Sequence, residues 1–471
     1  MSFQFSEDRR GELAKLALFL LVPLAGCAVF SEHSELPNKA PLSWSQPGGA
    51  QQVSADWWKA FGDPTLTSLV AQALESNSDL RIAQERVNQA RALAAVQHGA
   101  ELPTLEVGAT GGRADAVSPV SRRPFLATSH QEQFQASYEV DVWGRFGSLT
   151  QAAKDRVRSG QASRDAVALS VAAATASAYI NLLALDERLL LARHTLNSRE
   201  AAVSFAKARQ AHGYASKLEL AQAESEYRAT AVVVPQLELA VSRAEHAICL
   251  LLGRAPGAVE RGSALGRLVS PDLPATGIPS EFVRRRPDIA AAEALVAATD
   301  AQLAASRAQL LPSLRLTAAL GGTGSSVYTG DPFKIWSLGG SVLAPIFEGG
   351  RLRAQVELSK SQRSEALHNY EKSVLTAFSE VEDQLSTVTS TSQQQMELDA
   401  QRASTQEALR IAQNRFRAGY STYLEVLDAQ RTLFLTEQQA VQIRADILVA
   451  NVNLFKALGG GWQPDSPPRA R

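Results

Sequence analysis

Apolar and polar residues alternate along four short stretches of the chain. Between residues 133 and 142 the even positions are apolar and the odd positions are polar, as in Tyr138 beside Glu139. This alternation is typical of a β-strand with one apolar and one polar face. Weaker or similar runs lie at residues 105–109, 314–320 and 336–346. We therefore predict two β-hairpins, at about 104–143 and about 313–347.

A long helical pattern follows each predicted hairpin. No proline occurs between Gly147 and Gly213 or between Arg353 and Gly419, and Gly160 is the only interior glycine. In the second stretch apolar residues recur at steps of four and three, which is the pattern of a helix-packing face; they are Val374, Phe378, Val381, Leu385 and Val388. The pattern predicts long helices at about 147–212 and about 353–418. At about 1.5 Å per residue, each would be roughly 100 Å long.

The two halves of the chain repeat each other. The segment GYASKLELAQAE begins at Gly213, and GYSTYLEVLDAQ begins at Gly419, 206 positions later. Leu252-Gly253 and Leu458-Gly459 are related by the same offset. Because glycine commonly ends a helix, we expect tip turns at 213 and 419, followed by return helices that end near 252 and 459. Two long repeats indicate a tandem duplication rather than a solenoid of many short units.

The duplication predicts the domain organisation. A signal peptide (1–26) and a segment with lipid anchor and tether (27–78) precede repeat 1 (79–276), repeat 2 (277–459) and a C-terminal tail (460–471). Each repeat contains a helix, a hairpin, a long helix, a tip turn and a return helix. Repeat 1 also ends in a linker.

The number of predicted strands, four, indicates the fold class. Each is near the roughly 9 to 11 residues that a tilted membrane-spanning strand needs, and no helical pattern covers its apolar face. Four strands cannot close a barrel, and an open sheet edge is not tolerated in lipid. Three chains would supply twelve strands. We therefore expect a mainly α-helical protein with a β-barrel part, in which Tyr138 and Val140 face lipid and Glu139 and Asp141 face the lumen.

Composition and motifs exclude several classes of function. The chain has 45% hydrophobic residues and a net charge of −1, so no basic excess indicates a nucleic-acid partner. Two cysteines exclude a disulfide framework and give no zinc pattern. The seven histidines form no HExxH motif, and GxSxG is absent. We expect no enzyme activity, cofactor or metal site.

The N-terminus predicts export and lipidation. A short apolar run, Leu16–Leu24, follows the basic residues Arg9, Arg10 and Lys15, and it is too short to span a membrane as a helix. It ends in Leu24-Ala25-Gly26-Cys27, which resembles a bacterial lipobox. Cys27 would then be the mature N-terminus and the site of acylation.

The ordered set of motifs resembles the TolC-like outer-membrane factor family, in its lipoprotein branch that serves tripartite multidrug efflux pumps of the resistance-nodulation-division (RND) type. The matching segments are residues 24–27, 57–64, 138–145, 277–280, 284–290, 345–351 and 453–462. The resemblance implies a homotrimer with a twelve-stranded barrel in the outer membrane and a twelve-helix periplasmic tube. It further implies an equatorial collar formed by N-terminal, central and C-terminal segments, with one part within 27–78 and another in the linker that ends repeat 1. It also implies a passive export duct that works with a periplasmic adaptor and an inner-membrane RND transporter. Arg284–Arg286 fit either this motif or a solvated basic face.

The same resemblance assigns the residues of a periplasmic aperture and of a docking surface. The aperture residues are Leu424, Glu425, Asp428 and Arg431, and the matching positions of repeat 1 are Leu218, Glu219, Gln222 and Ser225. Glu425 and Asp428 share one helix face, so threefold symmetry would form acidic rings that favour cations. Ordinary surface charges at a helix start are the alternative. The docking residues for the adaptor are Gly213, Tyr214, Gly419 and Tyr420.

Two other functions remain open from the sequence. One is an outer-membrane duct for type I protein secretion, which has the same architecture. The other is a non-conducting periplasmic coiled-coil scaffold, which the alternating strands disfavour.

Overall fold

A computed structural model describes residue 36 and residues 43–45, 53–117, 122–276, 279–326 and 333–463. The predicted signal peptide and lipidation site Cys27 lie outside the described residues, as do most of the tether, the two hairpin loops and residues 464–471.

The strands form one antiparallel sheet in the order β1-β2-β3-β4. Their bounds are β1 Thr104–Val117, β2 Pro124–Val140, β3 Ser313–Ser325 and β4 Phe333–Leu343. The predicted number of four strands is confirmed. Three of them are longer than expected, at 14, 17 and 13 residues. The fourth ends at Leu343, before the predicted limit, because Pro345 cannot donate a backbone hydrogen bond to the ladder.

Cross-strand register divides the sheet into an apolar and a polar face. Directly paired residues lie on the same face, so the pairs Phe134–Leu320 and Leu320–Trp336 align one apolar row across three strands. Parallel apolar rows contain Leu105, Ala136, Ala318 and Leu338; Tyr138 and Leu316; and Val140, Leu314 and Val342. The opposite face is rich in Gln, Ser, Thr and Gly. Glu139 lies on that face and contacts Arg145 at 2.7 Å and Arg315 at 3.8 Å.

The helices reproduce the internal repeat. Their bounds are α1 Pro64–Ser76, α2 Ser78–Gly99, α3 Arg145–Ala211, α4 Lys217–Leu251, α5 Pro287–Ala308, α6 Arg351–Arg417 and α7 Tyr423–Ala457. Both long helices, α3 and α6, have 67 residues, and both return helices, α4 and α7, have 35. Every end of one pair lies 206 residues from the matching end of the other, so the two-fold repeat is confirmed. The helix-packing face from Val374 to Val388 is buried.

Glycine ends all four of these helices in the same way. Gly213, Gly253, Gly419 and Gly459 have φ between 64° and 86°, which glycine adopts without steric cost. In each case the next amide donates to the carbonyl five residues earlier, as from Tyr214 N to Arg209 O at 2.8 Å. This is the Schellman arrangement, which satisfies carbonyls that the helix leaves free. At Gly459 a side chain would also collide with the carbonyl of Arg285.

The chain divides into two compact units. One contains residues 87–160 and 292–370, including the sheet. The other contains the described residues between Asn38 and Arg86, between Gln161 and Ala291, and from Glu371 onward. The largest core of the second unit joins the N-terminal aromatics to the long helices, and Trp57 stacks on Phe455 at 5.5 Å.

The apolar part of α3 belongs to that core. An 18-residue window of α3 is apolar enough to cross a membrane, and half of it is buried within the chain. Its small and apolar residues Ala172, Ala176, Tyr179 and Ile180 have exposures of 1% or less. The apolarity of this segment is therefore explained by helix packing.

Buried Asp63 connects the N-terminal segment to the rest of this core. Its carboxylate caps α1 by accepting from Thr65 N at 2.7 Å, and it accepts from the Tyr179 hydroxyl at 3.0 Å and from Ser263 N at 3.0 Å. Burial, followed by the charge of Asp63, raises the pKa of Tyr179 to about 12 although the Gly262 amide opposes the shift. The tyrosine therefore stays neutral and donates to the carboxylate.

Candidate functional site: the helix turns at residues 213 and 419

The two tip turns, Gly213-Tyr214 and Gly419-Tyr420, have the same backbone geometry. The φ values of their glycines are 76° and 75°, and each tyrosine amide closes a Schellman bond. The tyrosine side chains are 75% and 80% exposed. An exposed aromatic ring on a rigid turn is well suited to contact a partner, since little conformational entropy is lost on binding.

Packing beneath the turns brings the two repeats together. A small core contains Ala206 of α3, Ala223 of α4, Ala412 of α6, and Tyr423, Val426 and Leu427 of α7. The guanidinium of Arg209 lies over the ring of Phe416 at 5.0 Å, and Phe416 contacts Tyr423 at 5.1 Å. Burial raises the pKa of Tyr423, and Glu219 adds to the shift while Arg199 opposes it. Side chains of both repeats therefore form one core behind the two turns.

The predicted aperture residues lie on the exposed side of α7. Leu424 is 53% exposed, and its counterpart Leu218 is 66% exposed. Asp428 accepts from Arg431 at 2.6 Å, and Glu425 lies 3.7 Å from Arg415 of α6. Glu425, Asp428 and Arg415 line a groove of about 460 Å³ between α6 and α7. Both carboxylates thus have a cation of their own chain beside them.

The equivalent pair in repeat 1 is closer and less exposed. Arg209 donates to Glu219 at 3.0 Å, with side chains 28% and 18% exposed, and it also donates to the carbonyl of Tyr214 at 2.9 Å. Ser216 caps α4 by accepting from Glu219 N, whereas Thr422 provides no such bond to α7. Exposed ion pairs contribute little to stability. The start of α7 is therefore held less firmly than the start of α4.

Arg199 is a residue of this region that the sequence analysis did not single out. Its side chain is 6% exposed and lies between α3, α4 and α7. It pairs with Glu226 at 2.9 Å, donates to the carbonyl of Glu226 at 2.7 Å and to Thr230, and lies 5.7 Å from the ring of Phe434. Burial lowers the pKa of Arg199, and Arg431 lowers it further, while Glu226 opposes the shift. These contacts of Arg199 with Glu226 and Thr230 form a clamp between α3 and α4.

Repeat 2 has no counterpart of this clamp. The positions 206 residues beyond Arg199, Glu226 and Thr230 are Thr405, Thr432 and Thr436. Each of these threonines bonds to a carbonyl of its own helix. Comparing the charges of the two repeats position by position would have found Arg199.

In the basic run at 284–286, Arg284 and Arg285 are exposed, as on a solvated face, whereas Arg286 is buried. Its side chain is 8% exposed and donates to Asp288, to Glu380 of α6 at 2.7 Å and to the carbonyl of Ala457 at the end of α7. Burial lowers the pKa of Arg286, but Asp288 and Glu380 more than reverse this and raise it. Arg286 thus connects α6 to the end of α7 and is not part of a solvated face.

These features define a class of protein. An open four-stranded sheet with one apolar face suits a membrane only when its two edges find partners, and the two long helix pairs of equal length end in exposed turns. Among the described residues, no group of three or more His, Cys, Asp and Glu side chains could hold a metal ion. The chain belongs to the outer membrane efflux protein family, whose profile matches residues 69–254 and 278–460.

Individual relatives cover nearly the whole chain. The pyoverdine export outer membrane protein OpmQ of Pseudomonas putida is 34% identical over 439 residues, which are 91% of this chain and 93% of OpmQ. The toluene efflux pump outer membrane protein TtgF, from another strain of Pseudomonas putida, is 32% identical over 469 residues, 95% of this chain and 96% of TtgF. The solved outer-membrane channel OprN superposes with a TM-score of 0.84 at 28% identity, and the match covers 92% of this chain and 99% of OprN.

The family and the fold give the function at the level of class. The protein is an outer-membrane channel of an efflux pump, with the TolC-like helical fold, four strands per chain and an internal repeat. It is a channel and not an enzyme, and the non-conducting scaffold is excluded.

Proposed function

We propose that three copies of this chain form a closed duct from the periplasm to the exterior. The observation that carries this proposal is the sheet itself. Its edge strands β1 and β4 each have one neighbour within the chain, and unpaired backbone groups are costly in lipid. Pairing β4 of one copy with β1 of the next removes both edges. Three copies then give a twelve-stranded barrel, an even number within the range of outer-membrane barrels.

The tip turns are the docking surface for a periplasmic adaptor in this proposal. Gly213-Tyr214 and Gly419-Tyr420 have matching backbone geometry and exposed rings, so three copies would present six similar turns. An inner-membrane RND transporter supplies the energy. The adaptor couples the two.

Leu424, Glu425, Asp428 and Arg431 form the periplasmic aperture. Three copies bring three exposed starts of α7 to the threefold axis, with two carboxylates each. The pairs Glu425–Arg415 and Asp428–Arg431 limit their mutual repulsion in the closed state. Cys27 carries acyl chains that anchor the mature N-terminus in the outer membrane beside the barrel.

The exported substrates are small toxic compounds in this proposal. The relatives OpmQ and TtgF are named for pyoverdine export and for toluene efflux, so channels of one architecture serve unlike small molecules. A face of Gln, Ser, Thr and Gly toward the lumen offers hydrogen bonds without a selective pocket. Type I protein secretion is the competing use of the same duct.

Drug sensitivity of a gene-deletion strain tests the proposal. Wild-type protein should restore resistance, and Gly419→Trp and Gly213→Trp should fail to do so at equal protein level, because a side chain is strained at positive φ and bulky at the docking surface. Gly257→Ala, at a position with open space around it, is the matched control. Normal resistance in both tryptophan variants would place docking elsewhere. Normal resistance of the deletion strain itself, together with loss of a secreted protein, would favour type I secretion.

A further inference from the structure

The outward face of the sheet changes from apolar to charged at a defined row. The last apolar row across β1 to β4 contains Val107, Phe134, Leu320 and Trp336. The next row on the same face contains Ala109, Glu132, Gly322 and Lys334. Lys334 therefore lies one row further out than Trp336, which is 77% exposed. It lies at the boundary of the apolar band.

The height of the apolar band fits a membrane. Eight residues of β2 separate Val140 from Glu132, which is about 27 Å along a strand at about 3.4 Å per residue. A strand tilt of about 40° reduces this to roughly 20 Å, close to the band of about 25 Å that outer-membrane barrels present to lipid. Trp336 and Phe134 then occupy the level of an aromatic girdle. The row with Lys334 lies at the level of lipid headgroups.

Charged residues lie at and beyond this row on the lipid-facing side, where Arg113 and Lys334 are the cations and Asp115 and Glu132 are the carboxylates. In the described parts of both hairpins from that row outward, the charged residues are the basic Arg113, Arg122, Arg123 and Lys334 and the acidic Asp115 and Glu132. Arg113 is on the same face as Lys334, because the register places both on the side of Val107 and Trp336. The ring of His130 lies across Gly324 of β3, so this neighbouring glycine leaves room for it.

Arg113 and Lys334 lie on opposite edge strands. Arg113 is on β1 and Lys334 on β4, and both side chains are exposed. In the proposed trimer, β4 of one copy is the neighbour of β1 of the next. Both cations then lie on the two strands that meet at each junction between copies, on the lipid-facing side and next to the apolar rows of the membrane band.

We propose that Lys334 of one copy and Arg113 of the next, with His130 nearby, bind the phosphate groups of outer-leaflet lipid A. The inference rests on the proposed trimer. Lysine and arginine near a membrane surface bind anionic headgroups electrostatically, and arginine can hold a phosphate through two parallel hydrogen bonds. The adjacent apolar rows with Leu320, Leu338 and Trp336 accept the acyl chains of the same lipid.

Lipid binding by purified protein tests the site. Delipidated wild-type trimers would be mixed with bisphosphorylated lipid A and examined by native mass spectrometry. Replacing Lys334 and Arg113 by glutamine should weaken binding about fivefold for each charge removed. Removing both phosphates from the probe should weaken binding to wild type and abolish the difference between wild type and the double variant.

Arg315→Gln is the matched control, because Arg315 is a cation of the same sheet on the opposite, lumenal face. It should bind lipid A as wild type does, and Lys334→Arg should as well. Equal binding by wild type and the double variant would overturn the site, as would an equal loss in Arg315→Gln. Failure of the trimer is separately visible, since wild-type protein would then appear as a monomer in the same spectra.

Discussion

Glu425 and Asp428 are each paired at the surface of one chain, and this local pairing determines what the proposed acidic rings can do. A pair exposed to water contributes little energy, so a multivalent cation can displace Arg415 or Arg431 from its carboxylate. Trivalent ions should therefore bind at the aperture although each carboxylate already has a partner.

Glu425→Ala combined with Asp428→Ala should raise the conductance of the channel in planar bilayers and remove its preference for cations. Wild type should be blocked by trivalent ions from the periplasmic side, and the double variant should not be, because up to six carboxylates are lost from one ring. Gln222→Ala with Glu219 intact, at the matching level of repeat 1, is the control and should leave the block unchanged. If the double variant keeps both the cation preference and the block, the aperture is formed by other residues.

Cys27→Ser should abolish acylation of the mature protein and leave the trimer intact. Barrel insertion depends on closing the sheet and not on an acyl chain. Incorporation of labelled fatty acid, read on a denaturing gel, measures the first effect, and trimer yield in detergent measures the second. Cys249→Ser is the control, since Cys249 is buried in the core of α4. Absence of label in wild-type protein would show that it is not a lipoprotein.

Single residues were predictable only where a pattern or a family motif marked them. The glycines of the tip turns follow from the repeat, because the offset of 206 aligns two helix ends. A comparison of the two repeats singles out Arg199, but the roles of Arg199 and Arg286 could not be assigned from sequence, because both roles depend on burial among three helices. Arg286 contacts Glu380 and Ala457, at sequence separations of 94 and 171 residues.

At the level of elements, the two helix pairs differ in their cross-links. Arg199 joins α3 to α4 through a buried ion pair and contacts α7, whereas the matching threonines of α6 and α7 bond only within their own helices. The pair α6–α7 should therefore separate at lower cost than the pair α3–α4.

Arg199→Met should destabilise the helix turns by about 1 to 3 kcal/mol, because Glu226 would remain half-buried without its cation. Limited proteolysis should cut near Gly213 faster in this variant than in wild type, at a temperature where the rest of the chain stays resistant. Arg199→Lys should recover part of the loss, since one ammonium cannot reproduce all the contacts of the guanidinium. Thr405→Met, at the matching position of repeat 2, should change cleavage little. Equal protection in wild type and Arg199→Met would contradict the role of the clamp.

Element types and most of their bounds follow from the sequence. The absence of proline predicts the long helices, and they begin two residues earlier than expected, at Arg145 and Arg351. Alternation predicts the strands but overestimates β4, since apolar residues continue to alternate past Pro345 where the ladder stops. Hydrophobic pattern reports which face is apolar, and hydrogen bonding sets where a strand ends.

At the scale of the whole molecule, the exposed apolar face of the sheet makes a single chain unsuited to water or to lipid alone. Leu338 and Trp336 are 78% and 77% exposed within one chain. Burying this face in detergent or lipid, and pairing the edges β1 and β4, are both required.

Protein purified in detergent should have the mass of a trimer by light scattering after correction for the micelle. Leu338→Lys should reduce the yield of folded trimer from membranes, because a lysine near the middle of a lipid-facing strand costs about 2 to 4 kcal/mol. Ser337→Lys, on the adjacent lumenal position of the same strand, is the control and should be tolerated. A wild-type protein that remains a water-soluble monomer would refute the assembly.

The identical lengths of the paired helices restrict how this gene can change. Deleting one residue from α3 would rotate its turn by about 100° and shift it by about 1.5 Å, so Tyr214 would point away from any partner that contacts Tyr420. Point substitutions on the same helix leave that alignment intact. The length of α3 is therefore constrained by function. Single-codon insertions or deletions between Arg145 and Ala211 should be far rarer among functional variants than amino-acid exchanges.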